Sequence, residues 1–311
     1  MILCCGEALI DMIPTPTKAG PDGFVPHSGG AVFNTAIALG RLGVEVGLLT
    51  GLSSDIFGNQ LQTALHDSHV DTSLVIKSDR HTTLAFVKLT DGHAAYSFFD
   101  ENSAGRMISP DDLPTLPDHI SALYFGGISL SCEPGADTYA QLAQTGAAGR
   151  LVMLDPNIRP GFIEDTARYT ARLRRLFALA DIIKVSDEDL DWLHPGPDDL
   201  RRKAGFLLKE GPAIVIVTKG ADGAAAFTAE GVEAEAKSDP ITVVDTVGAG
   251  DTFNAGLLAK LSDLDLLNKT AIRDITANQL HAALAFGARI AAITVGRAGA
   301  NPPWADELSQ T

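Results

Sequence analysis

Short runs in this sequence are apolar almost throughout: "ILCCGEAL", "VGLLTG", "ALYFGG", "LVMLD", "IIKVS" and "AIVIVTKG". A strand wetted on one face alternates polar with apolar residues. A run without a polar face therefore belongs to a strand covered on both sides. Helix-period stretches lie between them, at 31–42, 56–67, 137–148, 166–179 and 198–210. Strand and helix in alternation predict an α/β fold: a doubly wound, mostly parallel sheet flanked by helices. The 311 residues can bury a substantial core. Neither an internal repeat nor a low-complexity linker divides them, so a single domain over 1–311 is expected. Two segments break the alternation. Residues 12–28 are rich in Pro and Gly, and 81–99 reads as a hairpin with Asp91-Gly92 at its turn. Together they are expected to form a small β-sheet lid standing off the main sheet.

The net charge of −15 argues against a partner with a polyanionic surface, nucleic acid or membrane. The cysteines, Cys4, Cys5 and Cys132, are too few and too irregular for a disulfide or zinc framework, and the first two fall inside an apolar run. "MILCCGEALIDMI" lacks a basic stretch and is interrupted by Glu7 and Asp11, unlike a signal peptide. "ALAFGARIAAITV" is short for a membrane span and contains Arg289. A soluble, cytoplasmic protein is expected.

In open α/β sheets, ligands bind beyond the carboxyl ends of the strands. The predicted strand ends carry Asp11, Gly51, Gly126-Gly127, Asp155 with Asn157 and Arg159, Ser186, and Thr218 with Gly220. Polar residues and glycines thus collect on one edge. After Gly248-Ala249-Gly250-Asp251, the residues Phe253, Leu257, Leu261 and Leu264 recur at helical spacing. A helix is expected to start near residue 251, and the free N–H groups of its first turn attract anions. An acid beside a phosphate repels it, unless that acid orients or deprotonates the hydroxyl that attacks the phosphate. The plainer alternative is that Asp251 only caps the helix. A second glycine-opened helix is read in "SGGAVFNTAIALGRLG" (28–43), ending at Gly43, with Gly30 and Asn34 on one face. Neither a P-loop nor a G-x-G-x-x-G dinucleotide fingerprint is present, which disfavours a nicotinamide-dependent dehydrogenase.

"GGAVFNTAIALGRLG" and "DTVGAGDTFNAGLLA" resemble the N- and C-terminal signatures of the ribokinase-like, or PfkB, family of carbohydrate kinases. The resemblance runs from "GEALIDMIP" to "TVGRAGANPPW". Through "GEALID", "DPNIRP", "KVSDEDL" and "GRAGANPP" it is most similar to the bacterial fructokinases of that family. It implies that Asp251 is the catalytic base and that the amides from Val247 through Gly248, Ala249 and Gly250 form the anion hole. It further implies that Asp11, Gly30 and Asn34 hold sugar hydroxyls, with Asn157 and Arg159 near the sugar and phosphates. Thr218, Gly220 and Gly223 match the family's T-x-G-x-x-G near the ATP phosphates and ribose. "KVSDEDL" matches its N-x-x-E region, with Lys184 and Ser186 toward the nucleotide and Asp189 and Glu188 tied indirectly to Mg2+. This region departs from the pattern, since Ser186 replaces Asn and Asp189 replaces Glu. "FGAR" (286–289) also lacks the Asn often found at the adenine pocket. Asp245 matches a position near a monovalent cation, so K+ activation is implied.

The expected activity is ATP-dependent phosphorylation of a sugar on a primary hydroxyl, fructose to fructose 6-phosphate. 2-keto-3-deoxygluconate kinase, ribokinase and nucleoside kinase are alternatives within the family. A binding protein without catalysis is the alternative from another class, and Asp251 after an intact glycine turn speaks against it. An acid sugar would need a cation, and the nearest, Arg106, sits among Asp100 and Glu101. Phe98 and Phe99 offer an apolar shelf on the substrate side. Leu84 and Phe86 alternate with Ala85 and Val87, so neither lid face is strongly polar, and a homodimer paired through the lid is expected.

Overall fold

The computed structural model describes residues 1–90 and 93–310. Strand β1 (Ile2–Cys5) is buried throughout, with the thiols of Cys4 and Cys5 inside it. The apolar run that suggested one strand to Leu9 is broken at Gly6 to Ala8. A Cβ at Gly6 would stand 2.5 Å from Cγ2 of Val32, and Glu7 turns inward to accept the N–H of Ala31. The chain therefore leaves the main sheet, and β2 (Leu9–Thr15) belongs to a second one. This corrects one expectation: Asp11 lies in the middle of β2, not at the carboxyl end of a main-sheet strand.

Strand β3 (Gly23–Gly29) runs antiparallel to β2 and leads into α1 (Ala31–Arg41), which Gly43 terminates at φ 77°. Next come β4 (Val46–Leu49), β5 (Gly51–Ser53), α2 (Ile56–Asp67) and β6 (Ile76–Ser78). The side chain of Asp55 caps α2 by accepting the Gly58 N–H. β7 (Leu84–Thr90) and β8 (His93–Phe99) pair antiparallel, as the hairpin reading requires. Its Asp91-Gly92 turn lies outside the described residues. The predicted alternation then holds through β9 (Ala122–Gly126), α3 (Gly135–Gly146), β10 (Leu151–Asp155), α4 (Thr166–Phe177), β11 (Ile182–Ser186), α5 (Asp187–Leu193), α6 (Leu200–Leu208) and β12 (Ile214–Thr218). β13 (Ala224–Thr228) and β14 (Glu233–Ala236) add an antiparallel edge before α7 (Ala249–Asp263) and α8 (Ala277–Val295).

The main sheet has the order β14-β13-β12-β11-β10-β9-β1-β4 and is parallel except at β12–β13–β14. An apolar layer packs on each face. On one, Cys4, Tyr124, Met153 and Ile216 meet Phe33, Leu257 and Leu284 of α1, α7 and α8. On the other, Leu3, Phe125, Leu154 and Val185 meet Tyr139, Leu173 and Leu207 of α3, α4 and α6. Burial on both faces is why these strands carry so few polar side chains. Among the described residues, no helix is long and apolar enough to cross a membrane.

Segments 12–28 and 81–99 do assemble into a small sheet, ordered β3-β2-β7-β8. Its register puts Asp11, Ala85 and Phe98 on one face and Met12, Phe86 and Ser97 on the other. On that second face Phe86 meets Phe24 and Phe99 edge-on, at 5.0 and 5.3 Å.

Helices α7 and α8 touch backbone to backbone. A Cβ at Gly256 would stand 2.9 Å from the Cα of Gly287, and one at Gly287 would stand 2.9 Å from the carbonyl oxygen of Phe253. Gly287→Val must separate α7 from α8, at a cost of about 1–3 kcal/mol. Chemical denaturation should show a lower midpoint with an unchanged m-value.

Candidate active site

The start of α7 holds the glycine turn and Asp251. Gly248 takes a left-handed conformation (φ 77°, ψ 2°), and a Cβ there would lie 2.5 Å from that of Ala300. The helix begins at Ala249, two residues earlier than the apolar spacing suggested, so Asp251 falls inside its first turn. The capping position belongs to Gly248, without a side-chain cap bond, and the cap-only reading of Asp251 is overturned. The carboxylate of Asp251 instead turns toward α1, where its Oδ2 accepts the Asn34 Nδ2–H at 2.9 Å. The Thr35 hydroxyl donates to the Asp251 carbonyl at 3.1 Å. Burial lifts the Asp251 carboxyl to about 7, against the lowering effect of the Asn34 bond.

Among the amides expected to form the anion hole, that of Val247 is already engaged: it donates to Asp245 Oδ1 at 3.0 Å. That of Ala249 leans on the Thr246 carbonyl at 3.3 Å. The N–H groups of Gly250 and Asp251, in the first turn, have no intrahelical acceptor, so the anion-binding end of the helix sits there.

Asn34 is 7% exposed, not the exposed amide that a surface helix would carry. Gly30, at φ 108°, opens α1, and a Cβ there would press on the Glu7 carbonyl at 2.9 Å. Room for Asp11 comes from its neighbour: a Cβ at Gly29 would stand 2.2 Å from Asp11 Oδ2. Burial raises the Asp11 carboxyl to about 6. Phe98 shares the Asp11 face of the small sheet and meets Phe162 edge-on at 4.4 Å.

The ends of β10, β11 and β12 complete the floor. Asp155 Oδ2 accepts from Lys184 Nζ at 2.9 Å and from Asn254 Nδ2 at 2.7 Å, and Asn254 Nδ2 also reaches the Tyr124 hydroxyl at 3.0 Å. Asn157, at φ 41°, donates its N–H to Asp155 Oδ1. Arg159 is exposed, its guanidinium donating to the Ile158 carbonyl. Asp189 accepts the N–H groups of Ile158 and Ser186, while Ser186 Oγ accepts that of Asp189, a capping box for α5. Glu188 is exposed beside it. Thr218 lies opposite Ser186 in register, and Gly220 and Gly223 follow at φ 54° and 87°. Asp245 ties two loops, accepting N–H groups of Val247 and Gly299. Among the described residues, no group of three or more His, Cys, Asp or Glu is placed to hold a metal ion.

The structure thus brings Asp251, Asn34, Gly248 and Gly250 into one cluster and sets Lys184 beside it, 3.4 Å from where a Cβ of Gly250 would stand. The sequence places Asp155 on the ligand-binding edge without a partner and assigns nothing to two further polar residues here, Glu7 and Asn254. Glu7 accepts N–H groups of Ala31 and Ser129 and so fixes the start of α1. Asn254 follows Asp251 by one helical turn, which is the one sequence signal that could have found it.

The model of the pfkB family of carbohydrate kinases matches residues 1–307. A fructokinase of Rhizobium leguminosarum bv. trifolii is 50% identical over 277 residues, 88% of this chain and 84% of its own. The crystal structure of fructokinase with bound ATP from Xylella fastidiosa superimposes with a TM-score of 0.89 at 29% identity, covering 99% of this chain and 97% of that one. The structure of aminoimidazole riboside kinase from Salmonella enterica, complexed with aminoimidazole riboside and an ATP analogue, gives 0.83 at 28% identity, over 99% and 98%. The chain belongs to the pfkB family of carbohydrate kinases.

A base that must be ionised loses activity as the medium turns acid. With Asp251 in that role, kcat/KM should fall about tenfold per pH unit below its carboxyl's value near 7. The fall should steepen as Asp11 also protonates near 6. A pH–rate profile flat from 5 to 8 would exclude a carboxyl base of this kind.

Proposed function

We propose that this kinase transfers the terminal phosphate of ATP to the primary hydroxyl of fructose, giving fructose 6-phosphate. The observation that carries the reading is Asp251: a buried carboxylate, raised to about 7 and aimed by Asn34, at the glycine-opened start of a helix. A hydroxyl placed against it gives up its proton as the bond to phosphorus forms. The first-turn amides meet the charge of the transferred group. Asp11 and Asn34 accept and donate to the remaining sugar hydroxyls, and Arg159 lies toward the phosphates. Lys184, Ser186, Thr218, Gly220 and Gly223 line the nucleotide side.

Mg2+ arrives with the nucleotide in this reading. Glu188 is exposed, and each Asp189 oxygen keeps acceptor capacity beyond its backbone N–H, a donor set that fits a hydrated ion carried on phosphates rather than a resident one. Such an ion neutralises phosphate charge. Asp245 is the residue to which a K+ effect would be traced.

A neutral sugar is favoured over an acid sugar because Arg106 is already spent. It pairs with Asp100 and Glu164 and donates to the Glu133 carbonyl. A nucleoside is the second reading, since Phe98 and Phe162 form an aromatic wall on the Asp11 side and a riboside kinase shares the fold. The opposite face of the small sheet, with Phe24 47% and Phe99 55% exposed, is the face through which two copies pair.

Fructose, ribose, 2-keto-3-deoxygluconate and adenosine in competition, with ADP release measured in potassium and in sodium salts, test the assignment. Fructose should show the highest kcat/KM, and a higher value for another acceptor overturns fructose while keeping the kinase. Asp251→Asn should lose at least about a thousandfold in kcat while still binding sugar and ATP in calorimetry. Solution scattering across micromolar concentrations should give a dimer, and a strict monomer would remove the pairing.

A further inference from the structure

Lys184 is the feature of the floor that its surroundings leave least satisfied. Its ammonium is buried, 6% exposed, and Asp155 is its one hydrogen-bond acceptor among the described residues. An ammonium has three N–H donors, so two are unspent in a place where desolvation makes them costly. The ammonium lies against Gly250, 3.4 Å from where a Cβ would stand, in the turn that opens α7. Asp155 is in turn held from the other side by Asn254, one helical turn after Asp251. Asn254 keeps a buried Oδ1 without a partner and leans on the Tyr124 hydroxyl. Thus a single carboxylate at the end of β10 fixes both the ammonium on β11 and the first turns of α7.

We infer that Asp155 is a positioning residue that holds the Lys184 ammonium beneath the glycine turn, where it receives the phosphoryl group in transit. The inference rests on the reading of Asp251 as the base and adds to it a fixed cation and the group that fixes it. In a dry site a preorganised cation stabilises developing charge without reorganising. Asp155 serves this by accepting one bond from Lys184, which holds the ammonium beside the turn with its other donors unspent. The charged and titratable groups around Asp251 are Glu7 beyond β1, Asp155 on β10, Lys184 on β11 and Tyr124 on β9. Asp155 opposes ionisation of the base and Lys184 favours it, so the two have opposite signatures.

The test uses the full chain and whichever sugar the wild type turns over fastest. Lys184→Met should lower kcat about a hundredfold, move the acid limb of the kcat/KM profile to higher pH, and weaken binding of a non-hydrolysable ATP analogue. Asp155→Asn keeps an acceptor and loses the charge; kcat should fall about tenfold and the acid limb should move to lower pH. If Asp155 holds the ammonium, Asp155→Asn should also weaken binding of the analogue, as Lys184→Met does. A purely structural Asp155 would lower stability and leave that affinity at its wild-type value, and an unchanged affinity in folded Asp155→Asn overturns the inference. Should Asp155→Asn fail to fold, Lys184→Met decides by its analogue affinity and its limb. Should Asp251→Asn retain turnover, the base assignment fails, whereas the loss of analogue binding in Lys184→Met is read without turnover and stands apart from it.

Discussion

Everything in the site hangs on the hydrogen bond between Asn34 and Asp251. It joins the first turns of two helices that lie more than two hundred residues apart in sequence and that both open on a glycine. Two like dipole ends converging in one place repel each other and call for negative charge between them. Asp251 supplies part of it, and the Thr35 hydroxyl bonded to its carbonyl locks the pair. Glu7 performs the same service at the start of α1, where its half-buried carboxylate accepts the Ala31 N–H and, from across the site, that of Ser129. The floor of the site is therefore a set of helix ends held by acids, with the first-turn amides of α7 beside them.

Burial gives those acids their character. Asp251 and Asp11 are raised for the same first reason, loss of water, and at Asp251 the charges of Asp155 and Glu7 add to it. A carboxylate in water is a poor base, and one held near neutrality is a useful one. The energetic burden falls on α7, whose first turns are buried with polar side chains inside, and close packing of α7 on α8 through Gly256 and Gly287 offsets it.

Much of this was legible in the sequence because it depends on local patterns. Apolar runs located β10 and β11 to the residue, since a strand covered on both faces shows as a short apolar run, closed here by Asp155 and Ser186. The glycine turns marked both helix starts, because only glycine takes φ 108° at residue 30 or 77° at residue 248 without strain. What escaped was set by long-range contact. The break after β1 depends on Val32 and Ser129, far along the chain from Gly6 and Glu7. The cluster of Asp155, Lys184 and Asn254 draws on three separate elements, and β13 and β14 are short edge strands whose composition, "AAAFT" and "EAEA", carries no strong signal.

The correction at Asp11 has a consequence of its own. The carboxylate proposed to hold the sugar stands on the four-stranded sheet, while the residues proposed to move the proton and the phosphate stand on the helix ends of the main sheet. A substrate lying between them bridges two separately hydrogen-bonded bodies. In that reading Asp11 on residues 9–29 and Phe98 on the paired strand serve recognition, the turn at 248–251 serves transfer, and Asn34 on α1 touches both. On that reading a change of acceptor written into the two strand pairs leaves the glycine turn of α7 as it is, with Asn34 the residue that both share.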